Sequence, residues 1–173
     1  LYGFNNTYGL VIRKDLSEKY NIKTYSDLAK YSEDLTFGAE YDFYEREDGF
    51  DALCEEYGMS FKKSVDLDIG LKYNAINSKE IDVMNVFTTD GQLADSDVVL
   101  LEDNKNFYQT YYCGTVIRNY ILKKYPELEE VLMKMNNILT ESEMAELNYK
   151  VESKKEDEKK VAEDFLRDKG LLK

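Results

Sequence analysis

The sequence predicts an α/β fold in which strands and helices alternate and build a parallel or mixed sheet covered by helices. Two observations predict it. Short runs of apolar and β-branched residues recur between segments whose apolar residues have helical spacing. The 173 residues, of which 34% are charged and 43% hydrophobic, suffice for one well-formed core or for two small lobes. No apolar run approaches the roughly 20 residues that a membrane-spanning helix needs.

The first elements follow from local signals. The apolar run Tyr8–Arg13 predicts a buried strand that is entered from the polar turn Asn5-Asn6-Thr7. A short helix is expected from about Asp15 to Tyr20. Thr24 begins the next helix, because Asp27 three residues later completes a capping-box pattern. The chain therefore opens as strand, helix, helix.

The middle of the chain continues the alternation. Leu35–Ala39 predicts a second short strand, and Gly49–Tyr57 predicts a helix that Gly58 ends. Three further elements are predicted: a strand at Ser64–Leu67, a helix at Ile69–Asn77 that buries Ile69, Tyr73 and Ile76, and a strand at Ile81–Phe87. The segment Gly38–Phe50 then lies just beyond a strand's carboxyl end, where open α/β sheets place their ligand sites.

The character of the chain changes after a last strand at Val98–Leu101. From Asn119 onward the pattern is almost wholly helical. The predicted helices are one from Pro126 to about Asn136, one capped by Thr140 and Glu143, and one with the apolar stripe Val161, Phe165 and Leu166 that ends at Gly170. We place a lobe boundary near residue 102. Because the later helices have little sheet to cover, we expect the N-terminal part of their lobe to lie upstream of Leu1.

Composition excludes several classes of function. The net charge of -12 and the pI near 4.6 oppose nucleic-acid binding, because phosphates would be repelled over most of the surface. The absence of histidine removes the commonest general base and most zinc sites. Cys54 and Cys113 lie far apart without metal-ligand spacing, and both are expected to be small buried apolar residues. We therefore expect no metal, no cofactor and no catalytic residue.

The segment Gly38–Phe50 contains the clearest candidate for a binding contact. Four aromatic residues share it: Tyr41, Phe43, Tyr44 and Phe50. They surround one arginine, Arg46, whose guanidinium is a rigid fork suited to a carboxylate or phosphate. Aromatic rings favour burial, so the segment suggests a lined pocket with one charged contact. A second interpretation stays open, in which the rings are core and Arg46 forms only a surface ion pair.

Further aromatic residues stand at predicted strand ends or in turns. They are Tyr8, Phe87, Tyr111 and Tyr112. If these ends converge, the rings form a box beside Arg46. Such a box suits a quaternary ammonium group, which ring quadrupoles hold at about 0.5 to 2 kcal/mol per face, and Arg46 would then meet a carboxylate on the same ligand. Each ring taken singly is also compatible with a place in the core.

An ordered set of short motifs runs through essentially the whole chain. The motifs are Gly3-Phe4-Asn5-Asn6-Thr7-Tyr8, Asp27-Leu28, Phe37-Gly38-Ala39-Glu40, Arg46-Glu47-Asp48-Gly49-Phe50, Asp68-Ile69-Gly70-Leu71, Thr88-Thr89-Asp90-Gly91 and Glu146-Leu147-Asn148-Tyr149. In order and spacing they resemble the substrate-binding component of the glycine betaine, choline and carnitine ABC importers. Each motif is weak alone, whereas the ordered set is specific.

The resemblance implies a class II periplasmic-type binding protein, whose two lobes close on the ligand by hinge motion. On this pattern residues 1–102 form the complete second lobe, and residues 103–173 form the C-terminal helical part of the first. The implied function is that of a solute-binding domain without catalytic activity, which binds a quaternary ammonium compound and docks on an ABC permease subunit. Its implied location is the outer face of the cytoplasmic membrane, as a lipoprotein or a permease fusion.

The resemblance also implies a set of ligand-binding residues. They are Tyr8, Arg46, Phe87, Tyr111, Asn6 and Asp48. The three rings form the family's aromatic cage, and the backbone near Asn6 faces the ammonium. Arg46 faces the ligand carboxylate, and Asp48 supports that contact.

Two positions depart from the family pattern. Phe87 stands where the family usually has tyrosine, so a ring face is kept and a hydroxyl is lost. Gln109-Thr110 stands where a pair of prolines is expected, so the approach of Tyr111 to the site is less constrained. Both departures bear on the ligand more than on its class.

Two other functions stay open at this point. One is a histidine-free hydrolase with a carboxylate pair such as Glu45 and Asp48, in the manner of a glycosidase. The other is an acidic module whose tyrosines form a protein interface. Turnover that Glu45→Gln abolishes would favour the first, and capture of a protein partner without ligand would favour the second.

Overall fold

A computed structural model describes residues 1–172, which form two compact units. The sheet unit comprises Tyr8–Phe87 and Asp95–Gln109. The helical unit comprises Leu1–Thr7, Thr88–Ala94 and the chain from Thr110 onward. The chain therefore passes repeatedly between the two units, whereas each predicted lobe is one uninterrupted stretch of the sequence. The lobe boundary near residue 102 stays a prediction for the two-lobed protein.

The sheet unit is built on five strands in the order β3-β2-β4-β1-β5. Their bounds are β1 Tyr8–Arg13, β2 Thr36–Ala39, β3 Lys63–Asp66, β4 Val83–Phe87 and β5 Val98–Leu100. Strand β2 pairs in parallel with β3 and β4, while β1 runs antiparallel to both β4 and β5. The α/β class and the mixed sheet are thus confirmed.

The direction of β1 decides which strand ends meet. Because β1 is antiparallel to β4, its amino end lies beside the carboxyl end of β4, and Tyr8 is directly opposite Phe87 in the register. The carboxyl end of β2, at Ala39, lies at the same edge because β2 is parallel to β4. The carboxyl ends of β2 and β4 and the amino end of β1 therefore meet at one edge of the sheet. The sequence alone suggested that only carboxyl ends would meet there.

The sheet unit contains five helices that cover this sheet. They are α1 Lys14–Tyr20, α2 Tyr25–Ala29, α3 Tyr41–Glu45, α4 Phe50–Tyr57 and α5 Lys72–Asn77. The capping box at Thr24 is confirmed, since its side chain accepts the Asp27 N–H while the Asp27 side chain accepts from the Thr24 backbone. The helix predicted from Ile69 begins only at Lys72, and Ile69 is 60% exposed, so its predicted burial is wrong. Asp68 accepts the Gly70 N–H instead, in a local turn before the helix.

The core of the sheet unit is formed by apolar side chains from β1, β2, β4 and the covering helices. Its fully buried members include Leu10, Ile12, Ile22, Leu28, Phe37, Phe43, Leu53 and Val83. Each side chain of this size contributes about 1.5 to 3 kcal/mol on burial. Phe43 belongs to this core, so one ring of the Gly38–Phe50 segment anchors that segment to the sheet unit.

The helical unit contains the last four helices. They are α6 Asn119–Lys124, α7 Glu127–Met133, α8 Glu141–Glu152 and α9 Glu158–Asp168. The predicted capping box of Thr140 and Glu143 is confirmed at the start of α8. Helix α7 begins one residue after Pro126 and ends at Met133, three residues before the expected end. Within residues 1–172 no helix is both long and apolar enough to cross a membrane.

The two cysteines are free thiols and are partly buried. The expectation that both are buried is therefore met only in part. Burial, reinforced by the charge of Asp51, raises the pKa of the Cys54 thiol to about 12. Cys54 is thus protonated at neutral pH and behaves as a small apolar side chain.

Candidate functional site

Tyr8 and Phe87 form the aromatic centre of the candidate site in the sheet unit. They are cross-strand partners at the meeting edge of β1 and β4, which places both side chains on one face. Their rings are stacked, with centroids 4.7 Å apart and an interplanar angle of 28°. The strand register therefore creates this ring pair without any contribution from a loop.

Arg46 lies beside this ring pair. Its Cζ atom is 5.3 Å from the centroid of the Tyr8 ring, within the range of a cation–π contact. Its Nε donates to Asp48 Oδ1 at 2.7 Å and its Nη2 donates to Asp48 Oδ2 at 2.9 Å, so the pair is bidentate. Both side chains remain open to solvent, with 40% and 43% of their surface exposed. A guanidinium held in this way is oriented and still accessible.

Local structure fixes the position of Arg46. It follows α3, which the buried Phe43 ring attaches to the core and which the Tyr44 hydroxyl attaches to Val65 O of β3 at 3.0 Å. The turn that follows is closed by the Gly49 N–H, which donates to Arg46 O at 3.1 Å. A Cβ at Gly49 would lie 2.0 Å from Phe43 O, so only glycine fits this turn. Gly49 is therefore a steric requirement of the Arg46 loop.

Two further rings contact Tyr8, and neither of them was among the predicted ligand-binding residues. The Phe43 ring centroid lies 5.4 Å from that of Tyr8, and the Tyr108 centroid lies 5.8 Å from it. The Tyr108 hydroxyl is buried and has no hydrogen-bond partner among the described residues. Burial raises the pKa of Tyr108, and the nearby Tyr25 and Asp103 raise it further. The sequence signal was available, because Tyr108 lies in the same aromatic run as Tyr111.

A buried charged network lies behind the same edge of the sheet. Lys72 of α5 places its Nζ 2.6 Å from Glu40 Oε2 and donates to the backbone and side-chain oxygens of Asn85, both at 3.0 Å. The Asn85 amide donates to Glu40 Oε1 at 2.9 Å. Burial opposes the charge of Glu40, but hydrogen bonds and the charge of Lys72 outweigh it, so the Glu40 pKa is lowered. The network joins the carboxyl end of β2 to β4, two residues before Phe87.

The remaining predicted residues, Asn6 and Tyr111, lie in the helical unit. The Asn6 N–H donates to Tyr111 O at 3.1 Å, and the Tyr111 N–H donates to Asn5 Oδ1. The Thr89 hydroxyl donates to Asn6 Oδ1 at 2.6 Å. This unit therefore brings Asn6 and Tyr111 together, as the sheet unit brings together Tyr8, Arg46, Asp48 and Phe87.

The acidic side chains beside the candidate site form ion pairs, Asp48 with Arg46 and Glu40 with Lys72. No group of three or more acidic or cysteine side chains within residues 1–172 is arranged to hold a metal ion. Asp48, one member of the carboxylate pair considered for a hydrolase, is engaged by both nitrogens of the Arg46 fork. What these residues offer is aromatic faces and one oriented cation.

A mixed parallel and antiparallel sheet covered by helices matches the architecture of periplasmic-type binding proteins. The chain belongs to the family described as the substrate binding domain of ABC-type glycine betaine transport systems, which matches residues 1–168. This membership confirms the resemblance drawn from the motifs. It also places the chain among solute-binding proteins and not among enzymes, which removes the hydrolase alternative.

Three similar proteins show how far the likeness extends. The ergothioneine transport permease/ergothioneine binding protein EgtU of Helicobacter pylori is 46% identical over 171 residues, which cover 99% of this chain and 31% of that protein. The carnitine transport binding protein OpuCC of Listeria monocytogenes is 37% identical over 167 residues, which cover 96% of this chain and 54% of that protein. A crystal structure of a glycine betaine/carnitine/choline ABC transporter has 37% identity and a TM-score of 0.89, over 99% of this chain and 63% of that one. The chain thus spans only part of the length of its relatives.

Proposed function

We propose that this chain is part of the extracytoplasmic solute-binding domain of an ABC importer for quaternary ammonium solutes such as glycine betaine, choline and carnitine. The observation that carries the proposal is the stacked Tyr8–Phe87 pair with the Arg46 guanidinium beside it. The names of the relatives support the ligand class, since carnitine and ergothioneine both contain a trimethylammonium group and a carboxylate.

The rings of Tyr8 and Phe87 form the part of the proposed cage that lies in the sheet unit. A trimethylammonium group cannot donate hydrogen bonds and is weakly hydrated, so it leaves water for ring faces more readily than a primary ammonium does. Each face contributes about 0.5 to 2 kcal/mol. Phe87 supplies a face without the hydroxyl that tyrosine would bring.

Arg46 binds the ligand carboxylate in this proposal, and Asp48 orients it. The Asp48 carboxylate accepts from Nε and Nη2 of the guanidinium, at 2.7 and 2.9 Å, and thereby fixes its orientation. The contact to the ligand is charge-assisted, so its loss selectively weakens ligands that have a carboxylate.

The proposal includes the wider protein. Residues 1–102 belong to the second lobe and residues 103–173 to the first, and ligand binding draws the lobes together for recognition by a permease subunit. Unpartnered apolar residues in the helical unit support a larger first lobe: α6 and α7 have no buried residue, and Val116 is 99% exposed. Membrane attachment as a lipoprotein or a permease fusion belongs to the same proposal.

Thermal unfolding of the complete protein tests this function. Glycine betaine, carnitine, choline and ergothioneine are each added at increasing concentration, with glycine and ethanolamine as controls that lack the trimethylammonium group. A ligand present at 100 times its Kd stabilises the folded state by roughly 2.7 kcal/mol, which raises Tm measurably. Stabilisation by at least one trimethylammonium compound, and not by the controls, is expected. The same Tm with every compound would refute the proposal.

A further inference from the structure

We propose that the buried network of Glu40, Lys72 and Asn85 positions the two halves of the aromatic site relative to each other and thereby strengthens ligand binding. The inference rests on the proposed function and concerns three residues that lie outside the proposed set of ligand contacts. It is motivated by the place at which the pairing of β2 with β4 ends.

The backbone pairing between β2 and β4 stops before the edge of the sheet that carries the site. Among the described residues, the parallel register of these two strands ends where Gly38 faces Met84. Strand β4 continues for three more residues, Asn85–Phe87, and the last of them carries one of the two stacked rings. At the site itself, the ladder between β2 and β4 therefore does not hold these two strands together.

The side chains of the network make the connection that the ladder lacks. Glu40 follows the last residue of β2, and its carboxylate accepts from the amide of Asn85 on β4 at 2.9 Å. Lys72 Nζ bridges the same two residues, at 2.6 Å from Glu40 Oε2 and 3.0 Å from Asn85 Oδ1. Asn85 is fully buried, and the Lys72 side chain is 4% exposed. Because hydrogen bonds have a preferred direction and length, this connection sets a spacing more strictly than apolar packing does.

The two ends of the network lead to the two halves of the site. Glu40 is the N-cap of α3, and Arg46 is the C-cap of the same five-residue helix. Asn85 precedes Phe87 by two residues, so both side chains lie on one face of β4. A shift of α3 relative to β4 would therefore change the distance between the Arg46 Cζ and the centroid of the Tyr8 ring, which is 5.3 Å. A binding site that is about 1 Å too loose loses much of its function.

Positioning can be separated from stability, because the network can be replaced and not only broken. Removing one member leaves an unpaired buried charge and destabilises the fold, whereas apolar side chains of similar size at all three positions leave none. The triple variant Glu40→Met, Lys72→Met and Asn85→Leu should therefore unfold at a Tm close to that of the wild type. Its packing has no directional bonds, so the site should be looser although the fold is stable.

Calorimetric titration of the complete protein with glycine betaine, carnitine, choline and ergothioneine, well below the Tm of each variant, measures the effect. In the triple variant the compound that binds the wild type most tightly should bind roughly three- to thirtyfold more weakly, as for residues that influence a site without touching its ligand.

One milder variant and one control accompany the triple variant. Glu40→Gln replaces one acceptor oxygen by a donor amide, so one of the two contacts to Lys72 and Asn85 is lost and binding should weaken at least roughly twofold. Ile12→Ala removes a fully buried side chain at the end of the β1–β4 ladder that is remote from the rings. It should lower Tm and leave the affinity of the folded protein unchanged.

The outcomes separate this inference from the proposed function. If the folded triple variant binds within roughly threefold of the wild type, the network serves stability alone, and the inference is overturned while the proposed function stands. The inference is also overturned if Ile12→Ala weakens binding as much as the triple variant, because lost stability then explains both results. If the triple variant does not fold, unchanged affinity in Glu40→Gln overturns the inference. A wild type that binds none of the four compounds overturns the proposed function and this inference with it.

Discussion

Replacing Lys72 by methionine should destabilise the protein far more than replacing any exposed lysine. Lys72 is 4% exposed and forms an ion pair with Glu40, whose side chain is 15% exposed. Methionine fills most of the volume of the lysine stem but leaves the largely buried Glu40 carboxylate without its cation, although the Asn85 amide still donates to it. Breaking a buried pair from one side costs about 3 to 5 kcal/mol; because Glu40 keeps this hydrogen bond and some solvent, we expect about 2 to 3 kcal/mol.

The matched control is Lys79→Met. Lys79 forms an ion pair with Asp15 at 3.1 Å, but its side chain is 63% exposed. Exposed pairs contribute at most about 1 kcal/mol. The double variant Glu40→Gln with Lys72→Met should recover part of the loss, because it leaves no unpaired buried charge.

The direction of the Glu40 pKa shift determines how the contribution of the Lys72–Glu40 ion pair to stability changes with pH. The Glu40 pKa in the folded protein lies below its ordinary value of 4.5. The ion pair therefore contributes stability above pH 4.5, which is lost as the pH falls through the lowered pKa. In Lys72→Met burial acts on Glu40 without that cation, so the deficit relative to the wild type should shrink on acidification.

Urea denaturation of the complete protein at pH 7 and at about pH 3.5 measures both effects. A Lys72→Met deficit that is large at pH 7 and smaller in acid is expected. Equal deficits for Lys72→Met and Lys79→Met at pH 7, or a Lys72→Met deficit that does not change with pH, would contradict this reasoning.

Two further substitutions test the structure of the site region by the same urea method. Tyr108→Phe removes a buried hydroxyl without a described partner, so it should be neutral or should stabilise the protein by up to about 1 kcal/mol. Its control, Tyr57→Phe, removes a hydrogen-bonded hydroxyl and should cost about 1 kcal/mol; an equal loss in both variants would show that the Tyr108 hydroxyl is bonded. Gly49→Ala should cost at least about 2 kcal/mol because its Cβ would meet Phe43 O, while Gly58→Ala, at φ 68 with no atom within 4 Å, should cost about 1 kcal/mol; equal costs would mean that the Arg46 turn tolerates a side chain.

Features that depend on a few neighbouring residues were predictable from the sequence. The capping box at Thr24 needs only its own four-residue pattern, and the same holds for the one at Thr140. The placement of Arg46 just beyond β2 followed from one apolar run and the polar residues after it. The predicted burial of Ile69 was wrong because its helical spacing extends before α5, whereas a local turn at Asp68 delays the start of that helix to Lys72.

Features that depend on distant pairing were not predictable. An apolar run such as Tyr8–Arg13 has the same pattern in either direction, so the antiparallel position of β1 could not be inferred from it. Lys72 is 32 residues from Glu40, and nothing in a single sequence joins them. Tyr8 and Phe87 were predicted as separate rings, but their stacking is a consequence of the β1–β4 register.

The central claim is that the site containing Tyr8 and Phe87 recognises the positive charge of a quaternary ammonium group, not merely its shape. Calorimetric titration with glycine betaine and with 3,3-dimethylbutanoate tests it directly, because the second compound replaces the ammonium nitrogen by carbon and keeps the carboxylate. With about 0.5 to 2 kcal/mol per ring face, the complete protein should bind glycine betaine at least roughly tenfold more tightly. Equal affinities for the two compounds would contradict the account, because the rings would then form only an apolar pocket.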